Sequence, residues 1–262
     1  MKVLETADYI TNWLLDYANK VGAKGFVIGV SGGIDSATAS TLAARTGLPL
    51  LCVEMPIHQA ESQVNRAVRH IDWLKKNFSN TTSQEVQLTP IFDSFVAALP
   101  EIEGDPDKHD LSLVNTRARI RMTTLYYFAA LHGYLVVGTG NKVEDFGIGF
   151  YTKYGDGGVD LSPIADLMKT EVYAIAKALG VNEDILIAPP TDGLWGDDRT
   201  DEDQIGASYP ELEWAMEFSG DENSLTERQN EVLRIYRRLN KANQHKMNPI
   251  PVCEIPTERS VK

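Results

Sequence analysis

One stretch, residues 25–47, constrains the fold of this chain more than any other. It begins with an uncharged run of β-forming residues at 26–30, as expected for a strand that is covered on both faces. The segment Ser31-Gly32-Gly33 follows, and from Asp35 onward most residues are good helix formers, with Gly47 placed as a C-terminal cap. The stretch therefore predicts a strand, a tight loop and a helix.

A glycine loop before a helix favours a bound phosphate, because the loop exposes backbone N–H groups and the helix N-terminus attracts negative charge. The Walker loop is excluded, because no Gly-Lys-Ser or Gly-Lys-Thr tripeptide follows the required spacing. The alternative is a structural βα turn that happens to be rich in glycine. Since the strand and the helix are both correctly placed, we favour a phosphate or pyrophosphate loop at residues 31–36.

The length of 262 residues is enough for a full core and predicts one α/β domain over residues 1–262. Neither a bilayer-spanning run nor a signal-peptide pattern is present, so we expect a cytoplasmic protein that does not bind membranes. The two cysteines, Cys52 and Cys253, and the spacing of the five histidines predict neither a disulfide framework nor a transition-metal site. The net charge of −12 argues against a nucleic-acid partner.

Hydrophobic spacing predicts the other elements of the chain. Residues 3–20 form an amphipathic helix whose aromatic stripe serves either a subunit interface or packing within the domain. Further strands are predicted at residues 48–56, 86–90 and 134–140, and further helices at residues 60–77, 91–99, 115–131, 163–180 and 226–239. Polar connections or loops are predicted at residues 79–85, 100–110, 141–160 and 189–206. The last of these contains Trp195 and is a candidate lid.

Three arginines occupy alternate positions within residues 115–122, in an otherwise acidic protein. At about 100° per residue, Asn115, Arg119 and Met122 share one face of the predicted helix, whereas Arg117 and Arg121 lie on another. The first face is a candidate ligand surface. The alternative is a set of solvated arginines with acidic partners nearby.

Six motifs lie along the chain, at residues 29–36, 115–122, 138–144, 153–163, 189–192 and 245–251. Together they resemble the NAD synthetase family of the ATP pyrophosphatase superfamily, whose members split ATP between the α and β phosphates. The loop motif alone indicates only the superfamily, whereas residues 153–163 are far more specific. The resemblance implies an α/β fold with an open, mainly parallel sheet and helices on both faces, Rossmann-like and of the adenine nucleotide alpha hydrolase type.

The resemblance also implies a two-step reaction. The carboxylate of deamido-NAD attacks the α-phosphate of ATP, which gives an acyl-adenylate and pyrophosphate, and ammonia then displaces AMP to form the amide of NAD. Asp35 and Glu144 match the family's Mg²⁺ ligands and, with Lys169, form the expected catalytic set. The residues matching ATP contacts are Gly29, Val30, Ser31, Gly32, Gly33, Ile34, Asp35, Ser36, Thr139, Lys169 and Thr191. Those matching deamido-NAD contacts are Arg119, Lys153, Asp160, His245 and Lys246, with secondary contacts from Asn115 and Tyr17.

Family members place the dinucleotide at a homodimer interface, and their glutamine-dependent relatives carry an additional amidase domain that this sequence lacks, so ammonia is the expected nitrogen donor. The chain departs from some relatives at Glu54, at Gln204 and by one extra residue between Glu144 and Lys153. Two other functions stay open: an adenylating enzyme that modifies tRNA, and a nucleotide-binding sensor without enzymatic activity. The acidic charge disfavours the first. The second is disfavoured because a sensor would not need Glu144, Lys169 and the pair His245-Lys246 together.

Overall fold

A computed structural model of the chain describes residues 2–101, 104–191 and 200–256. Its centre is a parallel sheet of four strands in the order β3-β2-β1-β4. The strands are β1 (Phe26–Gly29), β2 (Leu50–Glu54), β3 (Thr81–Glu85) and β4 (Leu135–Val136). Beyond β4, Val137 forms an isolated parallel bridge with Leu161. The predicted α/β fold with an open parallel sheet is confirmed.

Helices connect the strands and continue beyond the sheet. Before β4 they are α1 (Val3–Val21), α2 (Ile34–Arg45), α3 (Glu61–Asn77), α4 (Thr89–Ala98) and α5 (Pro106–His132). After β4 come a π-helix (Val143–Ile148), α6 (Lys169–Ala178), α7 (Glu183–Leu186), α8 (Asp201–Ile205), α9 (Tyr209–Glu217), a 3₁₀ turn (Glu222–Ser224) and α10 (Glu227–Met247). Among the described residues, no helix is both long and apolar enough to cross a bilayer.

Alternate side chains of the central strands enter different hydrophobic clusters. Phe26, Ile28 and Cys52 pack in a cluster with α1, α2, α3 and α6, whereas Val27 and Leu51 pack in a cluster with α4 and α5. Because both faces of the sheet are covered, an uncharged strand is stable there. A third cluster joins the π-helix, α9 and α10.

The predicted position of the third strand was wrong. The structure places it at Thr81–Glu85, where a polar connection was expected, and residues 86–88 lead directly into α4. Within the described part of the chain, the strand lies at the edge of the sheet and pairs with β2 alone, so most of its side chains are partly or fully exposed. Polar residues are therefore tolerated at these positions. Backbone pairing with the buried strand β2, rather than side-chain composition, makes this segment a strand.

Three predicted loops contain helical segments. Helix α5 begins at Pro106 rather than after residue 110, because Asp105 caps it by accepting a hydrogen bond from the backbone N–H of Asp107. The π-helix lies within residues 141–160, and α8 lies within residues 189–206. Trp195 and residues 192–199 lie outside the described residues, so the lid prediction is untested.

Helix α10 is longer than expected. The apolar pattern predicts an end at residue 239, but the helix continues to Met247 and carries His245 and Lys246 on its last turn. Asn240 and Asn243 stabilise this extension by donating side-chain hydrogen bonds to the carbonyls of Gly147 and Ile148, at 2.8 and 2.7 Å. These polar contacts replace the apolar ones on which the prediction depended.

Candidate functional site

A cleft of about 740 Å³ opens at the carboxyl ends of β1, β2 and β4. This volume is in the range of small-molecule sites, and the position is the usual one for ligands of parallel α/β sheets. All the residues predicted to contact ATP line the cleft: Gly29, Val30, Ser31, Gly32, Gly33, Ile34, Asp35, Ser36, Thr139, Lys169 and Thr191. Glu144 lines it as well.

The glycine loop between β1 and α2 has a fixed conformation. Gly32 has φ +80, and a Cβ atom at this position would lie 2.8 Å from the carbonyl oxygen of Gln63. Only glycine fits both constraints. The Ser36 hydroxyl donates to the Gly33 carbonyl at 3.0 Å and accepts from the Ser31 N–H at 3.3 Å. Because Gly33 has no side chain to cap α2, the first N–H groups of the helix remain suited to an anion.

Behind the loop, three charged side chains converge from three helices. Lys169, the first residue of α6, is only 2% exposed. Its Nζ donates to Asp35 Oδ2 on α2 at 2.5 Å and to Glu144 Oε1 on the π-helix at 2.9 Å. We call these three residues the carboxylate–lysine triad, and the loop with this triad the loop end of the cleft.

Two further side chains hold the triad in place. Asn141 donates to Asp35 Oδ1 at 3.1 Å, and its own oxygen accepts from the backbone N–H groups of Val143 and Glu144. The Tyr209 hydroxyl donates to Glu144 Oε1 at 2.6 Å, and its ring lies 4.5 Å from Lys169 Nζ. Each carboxylate of the triad therefore has a second partner that fixes its orientation.

Burial and mutual attraction set the charge states of the triad. Burial raises the pKa of Asp35, an effect that the nearby Lys169 ammonium opposes. Burial alone would lower the pKa of Lys169, but attraction to Asp35 and Glu144 outweighs it and raises that pKa. The lysine therefore stays protonated, and its one positive charge is shared between the two carboxylates.

A fourth ionisable group, Asp145, lies beside the triad. Burial raises its pKa to about 7, and repulsion from Glu144, Asp156 and Asp35 adds to the rise. A side chain at Gly140 would overlap the Asp145 carboxylate, so the glycine at that position makes room for it. The acidic groups at the loop end therefore repel one another, and Asp145 is partly protonated near neutral pH.

The acidic groups also bear on the predicted Mg²⁺ site. Among the described residues, no group of three or more His, Cys, Asp or Glu side chains forms a self-contained metal site. Asp35 and Glu144 nevertheless offer two oxygen ligands around one point, now bridged by Lys169. Mg²⁺ is typically held by one or two carboxylates together with substrate phosphates and water. The donor set therefore fits Mg²⁺ that arrives with a nucleotide.

Elsewhere in the cleft, predicted deamido-NAD residues from α5, α10 and the segment after the π-helix come together. Arg119 donates through Nε and Nη2 to the carbonyl of Lys153, both at 3.3 Å, and Lys153 Nζ donates to the carbonyl of His245 at 2.5 Å. Lys246 Nζ donates to the carbonyls of Gly149 and Tyr151, each at 2.8 Å. We call Arg119, Lys153, His245 and Lys246 the α10 end.

Not every predicted substrate residue belongs to this group. Asn115 lines the cleft and accepts a hydrogen bond from the Thr152 hydroxyl at 2.6 Å. Asp160 does not line it, and instead accepts hydrogen bonds from the Tyr126 hydroxyl and the Val136 N–H at 3.0 and 2.8 Å. Tyr17 lies on the exposed face of α1, outside the cleft.

Sequence reasoning missed Asn141, Tyr209 and Arg121. Asn141 followed by Glu144 has the spacing of a helix N-cap, a signal that was present in the sequence. Tyr209 reaches the site from a distant helix without any local signal. Arg121 was assigned to the other face of its helix, yet its long side chain reaches the cleft wall and donates to the Met55 carbonyl at 2.9 Å and to Gln59 Oε1 at 2.8 Å.

Comparison with known proteins gives consistent results. The family model described as NAD synthase matches residues 6–250. An NH(3)-dependent NAD(+) synthetase of Carboxydothermus hydrogenoformans is 36% identical over 96% of this chain and 97% of its own length, and one of Mesoplasma florum is 35% identical over 95% and 96%. Among solved structures, the NMN synthetase of Francisella tularensis has a TM-score of 0.84 at 30% identity, covering 98% of this chain and 99% of its own. The NH3-dependent NAD synthetase of Campylobacter jejuni has a TM-score of 0.75 at 27% identity, covering 97% and 100%.

Proposed function

The chain belongs to the NAD synthase family, and from this membership we propose that it catalyses the ammonia-dependent amidation of deamido-NAD to NAD. ATP is the co-substrate and is cleaved to AMP and pyrophosphate through an acyl-adenylate. The observation that carries the proposal is the buried carboxylate–lysine triad directly behind a glycine loop with uncapped helix N–H groups. This arrangement suits the transfer of an adenylyl group with pyrophosphate as the leaving group.

The loop end supplies the first step. Backbone N–H groups at the start of α2 donate hydrogen bonds to the phosphate oxygens, and Lys169 offsets part of the negative charge that develops on the leaving pyrophosphate. Asp35 and Glu144 would hold Mg²⁺, which when bound supplies further charge neutralisation on the phosphate oxygens. Tyr209 and Asn141 keep the Glu144 and Asp35 carboxylates oriented.

The α10 end holds the second substrate. Its cations, Arg119, Lys153 and Lys246, donate to backbone carbonyls in the structure, and we assign them to the pyrophosphate of deamido-NAD. Burial lowers the pKa of Lys246, an effect that the nearby Asp156 carboxylate opposes. Holding the dinucleotide there brings its nicotinate carboxylate toward the loop end. Fixing both reactants in one cleft lowers the entropic part of the barrier to attack on the α-phosphate.

The same proposal includes a homodimer. Helix α1 exposes Leu4, Tyr9, Trp13 and Tyr17, with Tyr9 71% exposed. An aromatic face of this kind is typical of a protein interface. A second copy packed there explains why Tyr17 lies outside the cleft of its own protomer. Sedimentation of the wild type against the Tyr9→Glu/Trp13→Glu variant tests this part, because an unchanged monomeric mass for both would contradict it.

The cytoplasmic location stays a prediction.

A product assay tests the proposed reaction. Purified protein is incubated with ATP, Mg²⁺, ammonium and either deamido-NAD or nicotinate mononucleotide, and AMP, NAD and NMN are quantified. We expect AMP and NAD in equal amounts with deamido-NAD as the preferred acceptor. Preference for the mononucleotide would reassign the substrate to that of an NMN synthetase, and absence of AMP with both acceptors would contradict the ligase activity.

A further inference from the structure

Helix α3 presents an arginine to the phosphate loop. Arg66 lines the cleft, and its Nε donates a long hydrogen bond of 3.4 Å to the carbonyl oxygen of Gly32. The Arg66 Cβ lies 3.1 Å from the point where a Cβ of Gly32 would be, so the helix and the loop pack closely. The guanidinium is therefore attached to an element that directly contacts the loop.

Most of the hydrogen-bonding capacity of Arg66 is unused. A guanidinium carries five N–H donors. Within the described ranges, the Gly32 contact is its one hydrogen bond, and no carboxylate lies within ion-pair distance. By contrast, Arg69, one turn further along α3, donates through Nε to Asp184 Oδ2 at 2.8 Å. Arg66 is thus a cation beside the loop with its charge uncompensated by an acidic side chain of the described chain.

The loop end needs such a cation. Lys169 is bonded to both Asp35 and Glu144, which leaves one net negative charge on the triad when all three groups are ionised. The protein as a whole has a net charge of −12, so its field opposes the approach of a polyphosphate. Backbone N–H groups contribute only partial charges.

We propose that Arg66 binds the terminal phosphates of ATP and then holds the pyrophosphate that leaves. This inference rests on the proposed function, since it assumes cleavage between the α and β phosphates. The planar fork of a guanidinium matches two phosphate oxygens, and contact with the leaving group is maintained as its charge increases. Arg66 is then a substrate-contacting residue of the first step, with no contact to deamido-NAD.

Binding measurements with separate probes test the assignment. Inorganic pyrophosphate and AMP, each with Mg²⁺ in the buffer, are titrated calorimetrically into wild type, Arg66→Ala, Arg66→Lys and Arg69→Ala. We expect Arg66→Ala to bind pyrophosphate at least about tenfold more weakly, as for loss of a charge-assisted hydrogen bond, with AMP affinity unchanged. Arg66→Lys should show a smaller loss, because it keeps the charge without the fork. Arg69→Ala, on the same helix, should match the wild type.

Each alternative outcome has a distinct meaning. Equal weakening of pyrophosphate and AMP by Arg66→Ala would indicate that the arginine only supports the loop, and would overturn the proposal. Wild-type pyrophosphate affinity in Arg66→Ala would overturn it as well. If thermal melts show that Arg66→Ala is unfolded, the pyrophosphate and AMP affinities of Arg66→Lys are compared with those of the wild type instead. Failure of the wild-type protein itself to bind pyrophosphate would contradict the proposed function, and is thereby distinguished from failure of the Arg66 assignment.

Discussion

The two ends of the cleft hold their cations in different ways. At the loop end, Lys169 is buried and bonded to two carboxylates. At the α10 end, Arg119, Lys153 and Lys246 donate to neutral backbone carbonyls. A carboxylate cancels the charge of its partner, whereas a carbonyl orients a cation and leaves its formal charge intact.

The difference indicates a division of work. At the loop end, Lys169 offsets one of the two carboxylate charges of the triad, so the value of this end lies in fixing the positions of oxygen ligands and one ammonium group. The α10 end presents three cations that neutral carbonyls orient, with the Asp156 carboxylate near Lys246, so its value lies in attraction of a negatively charged substrate. Changes at the loop end should therefore abolish chemistry, and changes at the α10 end should weaken binding of one substrate.

The largest effect is expected from Asp35→Ala and Glu144→Ala. Each removes one ligand for Mg²⁺ and one partner of Lys169, so we expect pyrophosphate release to fall by about a thousandfold or more. The measurement is a coupled pyrophosphate assay. Asp166→Ala is the control, because Asp166 is also paired with a lysine, Lys142 at 2.9 Å, but is 97% exposed. Release at the wild-type rate by either site variant would remove the metal assignment.

A smaller and more selective effect is expected from Lys246→Ala and Arg119→Ala. The apparent KM for deamido-NAD should rise by about tenfold, the size of one lost charge-assisted contact, with little change in the KM for ATP. Steady-state kinetics with each substrate varied in turn measures both constants. Lys241→Ala on the same helix provides a matched control. A raised KM for ATP with an unchanged KM for deamido-NAD would exchange the assignments of the two ends.

Ammonia, unlike the nucleotides, is not expected to depend on charge at either end. The attacking species is neutral NH₃, whose concentration at fixed total ammonium rises by about tenfold per pH unit below the ammonium pKa. The apparent KM for total ammonium should fall correspondingly as pH rises. A pH-independent KM would indicate that ammonium itself is bound first. Stoichiometric use of glutamine by the purified chain, with release of glutamate, would contradict ammonia as the donor.

The smallest effect concerns stability. The pKa of Asp145 is raised to about 7, chiefly by burial, so the folded protein binds this proton more tightly than the unfolded chain. Stability should therefore decrease as pH rises from about 4 to about 7, where the unfolded chain has already lost the proton. Asp145→Asn should flatten this slope and unfold at higher temperature than wild type at pH 8. Thermal unfolding across this pH range measures it, and an identical slope in both proteins would argue against electrostatic crowding at the loop end.

Local signals predicted the strand, the glycine loop and the helix of the loop end well. The strand, the glycine loop and the helix occupy consecutive residues, and their apolar run, glycines and alanines are each informative alone. The α10 end was harder to predict, because the last turns of α10 depend on Asn240 and Asn243 contacting a distant segment. The contact of Tyr209 with Glu144 was equally hard to predict, because it also depends on a distant segment. The polar edge strand β3 was missed because pairing with β2, rather than its own composition, makes it a strand.

The contacts of Asn240 and Asn243 with the π-helix matter for protein engineering. They join the helix that carries Lys246 to the segment that carries Glu144, and the third hydrophobic cluster joins both to α9. Neither segment can therefore be transplanted into another protein without the other. A chimera that exchanges α10 with a relative in order to alter acceptor preference must exchange Val143–Ile148 at the same time, since a mismatched pair would displace a carboxylate of the triad.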